Sequence, residues 1–220
     1  QCGAKLIVTD LKTKEQLKSS LAKLKKFKNI KYSLGGHKLE DFRNRDFILK
    51  AAGVPLDSPF IAEARKNKIP IEMSASLFAR LSGAIIVGIT GTRGKSTTTH
   101  LIHHILKQAG RSVLLGGNVK GISTLSFLKK VKPDDIAVLE LDSWQLQGFG
   151  ESKISPHIAV FTNLLPDHLN YYKGNMKKYF ADKANIFRFQ KKGDFTVAGK
   201  SIASRIKTKG KKITTSSFPK

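Results

Sequence analysis

The chain has 220 residues, of which 40% are hydrophobic, so it can bury a core and is not a disordered protein. Lysine and arginine number 40 against 16 acidic residues, and the resulting net charge of +24 makes nucleotide phosphates, nucleic acids and anionic membranes candidate ligands, although a basic proteome or simple solubility is the favoured explanation over nucleic-acid binding. A single cysteine, Cys2, excludes an intramolecular disulfide and a cysteine-rich metal site, and no apolar run is long enough to span a membrane.

The first 83 residues are predicted to alternate strands and helices. Strands are expected at 5–9, near Ile30, at 46–49 and at 69–71. The lysine-rich stretch 12–31 carries leucines at helical spacing, which predicts an amphipathic helix with a solvated basic face. Ser58 is expected to cap a helix that runs to about Asn67, and a short helix follows at 75–81.

From residue 84 onward, unbroken apolar strands alternate with helices, the pattern of a parallel sheet covered by helices. Strands are predicted at 84–90, 113–115, 136–141, 158–162 and near 195–197. Helices are predicted at 95–109, where Gly110 ends the helix, and at about 175–189. The sequence therefore predicts an α/β protein with domains at 1–83 and 84–220.

The clearest chemical signal is T-G-T-R-G-K-S-T at 90–97, between an apolar strand and a helix. Glycines let backbone N–H groups turn toward phosphate oxygens, and the helix N-terminus adds partial positive charge. Lys95 can reach the terminal phosphates, and the Ser96 hydroxyl can bind Mg²⁺. A strict P-loop would have glycine at position 89, where this chain has isoleucine, and a lone Gly-Lys-Ser could be an ordinary helix start. The predicted nucleotide-binding residues are Gly91, Thr92, Arg93, Gly94, Lys95, Ser96, Thr97 and Thr98.

The variant T-G-T-x-G-K-[ST] resembles the Mur ligase family. Further segments agree with the family in order and spacing: G-G-N at 116–118, E-L-D-S-W-Q-L at 140–146, Asn163 with Asp167-His168-Leu169, and Lys183. The pattern E-L-x-S-x-Q-L is most typical of the members that add D-glutamate. The resemblance covers nearly the whole chain. It implies an incomplete Rossmann-like domain for the UDP substrate, followed by a P-loop ATPase domain.

The activity implied by this resemblance is ATP-dependent amide ligation in the cytoplasm, through an acyl phosphate, with UDP-N-acetylmuramoyl-L-alanine and D-glutamate as substrates. The implied catalytic residues are Lys95, Asn118, Glu140, His168 and Lys183. Ser96 and Glu140 would bind one Mg²⁺, and His168 with a carbamylated Lys183 would bind a second, because a carbamate supplies anionic oxygens. The intact protein is expected to be a monomer without a membrane partner.

Several features depart from the family or allow a simpler interpretation. Asp142 stands where the family usually has serine, and it could add a metal ligand or disturb the first one. Asn170-Tyr171-Tyr172 replaces the usual D-R-H or D-R-Y. Taken singly, Glu140 could be a salt-bridge partner, His168 a capping residue and Lys183 a surface lysine. The chain also lacks the family's first strand and its C-terminal domain, so it is expected to be an inactive fragment.

Two other functions stay open. One is another ligase of the same superfamily, such as folylpolyglutamate synthase. The other is a basic P-loop protein that binds nucleic acid with strong salt dependence, although no aromatic-basic recognition motif supports it.

Three histidines in the helix after the loop, His100, His103 and His104, have the spacing of a metal site. They are instead expected to form a solvated polar face. The core side of that helix is expected to consist of Leu101, Ile102, Ile105 and Leu106.

Overall fold

The computed structural model describes residues 3–215, which form two compact units. The first unit contains the chain up to Ile48 together with Val54–Ile71, and the second contains Leu49–Gly53 together with the chain from Glu72 onward. The chain passes from one unit to the other within two short strands, β3 (Ile48–Leu49) and β4 (Ile71–Glu72). The predicted domain boundary near Ser82-Gly83 stays a prediction.

The first unit contains a β-α-β segment. Strands β1 (Leu6–Asp10) and β2 (Ile30–Leu34) pair in parallel and are connected through helix α1 (Lys18–Leu24). Parallel neighbours require such a crossover, which is the building block of Rossmann-like folds. Helix α1 is shorter than the lysine-rich stretch, but its leucines are half-buried while its lysines are exposed, as the amphipathic pattern predicts.

The rest of the first unit is built around an aromatic contact. Phe42 ends a 3-10 turn (Leu39–Phe42), and its ring centroid lies 5.3 Å from that of Phe60 in helix α2 (Pro59–Lys66). Ser58 occupies the N-cap position of α2 as predicted. Its side chain makes no capping hydrogen bond to any described residue, and only its carbonyl accepts from the Ala62 N–H, at 2.9 Å.

The second unit contains a six-stranded parallel sheet, which confirms the predicted α/β fold. Its strands are β5 (Ile85–Thr90), β6 (Val113–Gly117), β7 (Ile136–Glu140), β8 (Ile158–Phe161), β9 (Phe195–Gly199) and β10 (Lys211–Thr215). They are arranged in the order β10-β9-β8-β5-β7-β6. Strand β10 was not predicted, because it is an edge strand whose five residues are all exposed and carry no apolar alternation.

The helices of the second unit cover the two faces of the sheet unequally. They are α3 (Ser74–Leu81), α4 (Lys95–Gln108), α5 (Ser143–Glu151), α6 (Met176–Lys183), α7 (Asn185–Arg188) and α8 (Lys200–Ala203). Among the described crossovers, only that from β5 to β6, through α4, runs toward the β6 edge. The later crossovers run back toward β10. Because parallel crossovers are right-handed, their helices lie on the opposite face, where the main core forms.

Several predicted helical features differ in the structure. The predicted helix at 175–189 is two helices, α6 and α7, and helices α5 and α8 were not predicted. The expectation that Leu101 and Ile105 face the core is wrong, because they are 56% and 55% exposed. Ile102 and Leu106 do pack against the sheet. No helix within residues 3–215 has the length and hydropathy needed to cross a membrane.

Candidate functional site

The predicted phosphate loop lies between the carboxyl end of β5 and the start of α4. Gly91 and Gly94 have φ angles of 144° and 81°, which favour glycine. A Cβ on Gly91 would lie 1.9 Å from Thr162 Oγ1, so the loop passes too close to this neighbour for a side chain. The first N–H groups of α4 lack intrahelical partners and, with the helix dipole, can bind an anion.

The shape of this loop is fixed by the segment that follows β8. The Thr92 and Arg93 N–H groups donate to the carbonyl oxygen and Oδ1 of Asn163, at 3.0 and 2.9 Å. The Thr162 hydroxyl donates to the Arg93 carbonyl at 2.7 Å. The Thr92 hydroxyl donates to the Leu165 carbonyl at 3.1 Å and accepts from the Leu165 N–H at 2.9 Å. The two segments therefore form one hydrogen-bonded structure.

The remaining predicted loop residues surround the N-terminus of α4. Lys95 is the first residue of the helix, and its Nζ donates to the Thr92 carbonyl at 3.1 Å. Ser96 and Thr97 are exposed, and Thr98 is half-buried. The structure thus brings these residues together at one helix end, and their contact with nucleotide stays a prediction.

Glu140 and Asn118 lie at the same edge of the sheet as the loop. Glu140 ends β7, is buried, and is in register with Ile89 of β5 and with Gly117 of β6. Gly117 has a φ of 83°, and a Cβ there would lie 2.0 Å from the Glu140 carbonyl oxygen. The Asn118 N–H donates to the same carbonyl at 2.8 Å. The G-G-N turn therefore places Asn118 directly beside the end of β7.

Lys183, the last residue of α6, lies under the loop. It is only 1% exposed, and its Nζ donates to the Gly91 carbonyl at 2.9 Å and to Thr90 Oγ1 at 3.3 Å. Burial, and next the positive charge of Lys95, lowers the pKa of Lys183 to about 7. A buried lysine whose pKa is lowered in this way has a substantial neutral fraction near pH 7, and the neutral amine is the form that reacts with carbon dioxide. Lys183 is therefore not a surface lysine.

His168 and Lys183 contact the same aromatic ring. The Tyr179 ring centroid lies 6.1 Å from that of His168 and 4.9 Å from Lys183 Nζ. The His168 ring also packs against Trp144, with ring centroids 4.6 Å apart. Tyr179 Oη lies 3.4 Å from Thr92 Oγ1. Tyr179 was missed from the sequence, although its position one helical turn before Lys183 is the signal that could have indicated it.

The structure gives Asp142 a local role. Its Oδ1 accepts a hydrogen bond from the Gln145 N–H at 2.7 Å, so it is the N-cap of α5. Serine and aspartate are both favoured N-cap residues. The change from the family's serine to aspartate therefore exchanges one capping residue for another.

The segment Asn170-Tyr171-Tyr172 differs from the usual family sequence. Its two tyrosines join a polar network beside Lys183. Gln147 Nε2 donates to Tyr171 Oη at 3.1 Å and to Asp182 Oδ2 at 2.8 Å. The Tyr172 hydroxyl donates to the same Asp182 oxygen at 2.9 Å. Burial raises the pKa of Asp182, and both hydrogen bonds oppose that rise. The network holds the residue that precedes Lys183.

Lys50 is a second buried lysine of this unit, and the sequence did not indicate it. It is 4% exposed, and its Nζ donates to the Ala51 carbonyl at 3.2 Å. Burial lowers the pKa of Lys50 to about 8, and the charges of Asp142, Asp182 and Glu151 oppose this shift. One of these carboxylates, Asp182, directly precedes the predicted site residue Lys183.

We expect the substitution Lys50→Met to flatten the rise of the unfolding free energy between pH 8 and pH 10.5. The pKa of Lys50 is about 8 in the folded chain and 10.5 in its ordinary state. In this window the unfolded chain binds more protons, so the stability of the wild type increases with pH. The difference should be on the order of 1–2 kcal/mol. Denaturant unfolding across this pH range measures it, with exposed Lys177→Met as control. Parallel curves for wild type and Lys50→Met would contradict the prediction.

Within residues 3–215, no group of three or more His, Cys, Asp or Glu side chains is arranged to hold a metal ion. The predicted Mg²⁺ ligands form smaller sets, Ser96 with Glu140 and His168 with Lys183. Each set would need additional oxygens from a nucleotide phosphate or from a carbamate on Lys183. Both metal sites therefore stay predictions.

The sequence profile of the Mur ligase middle domain matches residues 89–219. The chain belongs to the Mur ligase family. Relatives of this Mur ligase chain include the UDP-N-acetylmuramoylalanine--D-glutamate ligase of Borreliella burgdorferi (strain ZS7), which is 38% identical over 98% of this chain and 47% of its own length. The ligase of the same name from Roseiflexus sp. (strain RS-1) is 38% identical over 87% of this chain and 41% of its own length. The chain thus spans about half the length of the curated relatives it matches.

Two solved structures share the fold of this Mur ligase chain. The MurF ligase from Thermotoga maritima in complex with ADP has a TM-score of 0.50 and 21% identity, and the alignment covers 79% of this chain and 51% of that one. The UDP-N-acetylmuramate:L-alanyl-gamma-D-glutamyl-meso-diaminopimelate ligase from Neisseria meningitides has a TM-score of 0.58 and 15% identity, over 94% and 69% of the two chains. At such identities the likeness concerns the fold alone.

Proposed function

We propose that this Mur ligase chain is part of an ATP-dependent amide ligase that adds D-glutamate to UDP-N-acetylmuramoyl-L-alanine. The observation that carries the proposal is the buried Lys183, whose Nζ donates to the Gly91 carbonyl of the phosphate loop at 2.9 Å. This hydrogen bond connects the phosphate loop to the lysine that the family resemblance assigns to metal binding. The names of the curated relatives support D-glutamate as the incoming amino acid.

The loop and Lys95 bind the phosphates in this proposal. The loop glycines and the N–H groups at the start of α4 surround the β- and γ-phosphates. Lys95 leaves the Thr92 carbonyl and donates to the γ-phosphate instead, where it neutralises the charge of the transferring group. ATP supplies the phosphoryl group that activates the substrate carboxylate, and Mg²⁺ offsets the charge that develops.

The metal ligands come from three segments around the loop. Ser96, in the first turn of α4, and Glu140, at the end of β7, would hold the first Mg²⁺. His168 and carbamylated Lys183, which both lie next to the Tyr179 ring, would hold the second. A carbamate keeps one N–H on Lys183, so that the hydrogen bond to the Gly91 carbonyl can persist. Asn118 would position the carboxylate to be activated.

We assign UDP-substrate binding to residues 1–83 and ATP binding to residues 84–220. The complete enzyme acts in the cytoplasm as a monomer in this proposal, and its substrates are soluble small molecules. The +24 charge then serves the attraction of anionic substrates rather than of nucleic acid.

The proposal is tested with the complete protein encoded by the gene. It is incubated with ATP, Mg²⁺, UDP-N-acetylmuramoyl-L-alanine and D-glutamate, and product is measured by mass spectrometry together with released phosphate. We expect product with D-glutamate and none with L-glutamate or meso-diaminopimelate. Product formation only with another amino acid, or only with a folate substrate, would reject the assignment.

The 220-residue chain alone is expected to turn over at least about 10³-fold more slowly than the complete protein. Acyl phosphate formation requires the carboxylate and the γ-phosphate in line and shielded from water. The chain spans only 47% of its Borreliella relative, so half of such an enzyme is outside it. Phosphate release by both proteins is compared under the same conditions. Equal rates would show that the described units suffice for catalysis.

A further inference from the structure

The end of helix α6 that carries Lys183 is tied to α5 on both sides of this lysine. Immediately before it, Asp182 Oδ2 accepts a hydrogen bond from Gln147 Nε2 at 2.8 Å. Two residues after it, Asn185 Nδ2 donates to the Leu146 carbonyl at 3.0 Å. Leu146 and Gln147 are consecutive residues of α5, so one short stretch of that helix fixes both positions. We call these two hydrogen bonds the α5 clamp.

The Asn185 half of the clamp is tightly packed. Asn185 is buried, and its Oδ1 accepts a hydrogen bond from Arg188 Nη1 at 2.9 Å. Its carbonyl accepts from the Ser155 hydroxyl at 2.7 Å. A Cβ on Gly150 of α5 would lie 2.5 Å from Asn185 Nδ2, so α5 approaches too closely for a side chain at this position. Both ends of the Asn185 amide are therefore occupied, and its place against α5 is fixed.

The Asp182 half depends on the direction of the Gln147 amide. Asp182 Oδ2 also accepts from the Tyr172 hydroxyl, and a carboxylate can only accept, so Gln147 has to turn its NH2 group toward it. The same Nε2 donates to Tyr171 Oη at 3.1 Å, while Gln147 Oε1 is buried without a partner among the described residues. Tyr171 stands where the family usually has arginine, whose guanidinium has no acceptor for this bond. This half of the clamp is therefore particular to this chain.

Lys183 depends on this clamp because it is the last residue of α6. Its side chain is only 1% exposed, and its Nζ lies 2.9 Å from the Gly91 carbonyl, so a shift of the helix end by about 1 Å would break that hydrogen bond. We propose that the α5 clamp positions Lys183 under the phosphate loop, with Gln147 and Asp182 as positioning residues. The effect on ligation rests on the proposed function, whereas the place of Lys183 can be measured without it.

The variant Gln147→Glu tests the clamp in the complete protein, because it keeps the size of the side chain but turns a carboxylate toward Asp182. We expect kcat for ligation to fall at least about tenfold, since small displacements of a catalytic group are costly. The KM for ATP should stay within about twofold of wild type, because the phosphate loop and Lys95 are untouched. The double variant Gln147→Glu/Asp182→Asn exchanges donor and acceptor, and it should return kcat to within about threefold of wild type.

A thiol at position 183 reports the same displacement without ligase activity. Lys183→Cys is introduced into the complete protein, with Cys2 and any other cysteine changed to serine, and the rate of its modification by a maleimide is measured. Adding Gln147→Glu should speed this reaction at least about tenfold, and adding Asp182→Asn as well should slow it again. The control Ile202→Val removes one buried carbon from α8 and should change neither kcat nor the thiol rate.

The two measurements separate the clamp from the proposed activity. Unchanged kcat and unchanged thiol reactivity with Gln147→Glu would overturn the proposal, as would a fall in kcat without faster labelling or a double variant that restores neither. Gln147→Met removes the same donor without adding a charge, and it takes the place of Gln147→Glu if that protein does not fold. A wild type that performs no ligation, while Gln147→Glu speeds labelling, would reject the proposed function and leave the clamp supported.

Discussion

Replacing Lys95 with alanine in the complete protein is expected to lower the ligation rate by about 10³-fold or more. Lys95 is the first residue of α4, and its Nζ lies 3.1 Å from the loop carbonyl of Thr92. Alanine removes the charge that opposes the negative charge of the transferring phosphoryl group. The measurement is kcat with saturating ATP, D-glutamate and UDP-N-acetylmuramoyl-L-alanine.

The control for this variant lies on the same helix. Lys107→Ala removes one exposed positive charge near the far end of α4 and should leave kcat within about twofold of wild type, because an exposed, solvent-screened charge contributes little at this distance. Thermal unfolding should show that both variants fold. Full activity of Lys95→Ala would remove the phosphate loop from the mechanism.

Replacing Lys183 with alanine is expected to lower kcat by a similar factor, about 10³-fold, and acetate or formate should restore part of it. Lys183 is buried under the Gly91 carbonyl, so alanine leaves a space in which a small carboxylate can stand for the carbamate oxygens. The measurement is ligation rate against the concentration of added acetate. Rescue separates a carbamate from a structural ammonium, which a carboxylate could not replace.

Lys178→Ala provides the matched control, since Lys178 is exposed on the same helix. Its rate should equal that of wild type and should not respond to acetate. A Lys183→Ala enzyme with the ligation rate of wild type would contradict the carbamate hypothesis. An inactive but folded variant that acetate and formate cannot rescue would argue for the ammonium form instead.

The phosphate loop and the sheet around it could be predicted because their signals are local. The apolar run 84–90, the glycines at 91 and 94 and the helix that starts at Lys95 are adjacent in the sequence. Parallel strands also bring their carboxyl ends to one edge, where Glu140 was expected, while Asn118 was implied by the family resemblance. The fold confirms this arrangement of strands and helices.

Other features depend on packing that no local pattern records. The family resemblance singles out Lys183 among the 40 basic residues of the sequence, but only the packing of α6 under the loop shows that it is buried. Lys50 was missed because no local pattern marks its burial, whereas Tyr179 could have been indicated by its position one helical turn before Lys183. Leu101 and Ile105 were wrongly assigned to the core. Helical periodicity identifies the apolar side of α4, but it does not show how much of that side is covered by neighbouring elements. Helix α5, which contains two glycines, and the exposed strand β10 lack apolar periodicity altogether.

The hydrogen bonds between Thr92 and Leu165 have a consequence for folding. They connect positions 73 residues apart, so the loop takes its shape only when β8 has paired with β5. Contacts of such long range form late, after local helices such as α4. During synthesis, a ribosome-bound chain that has exposed α4 would still lack the phosphate loop. It would acquire that loop only after residue 165 has left the exit tunnel.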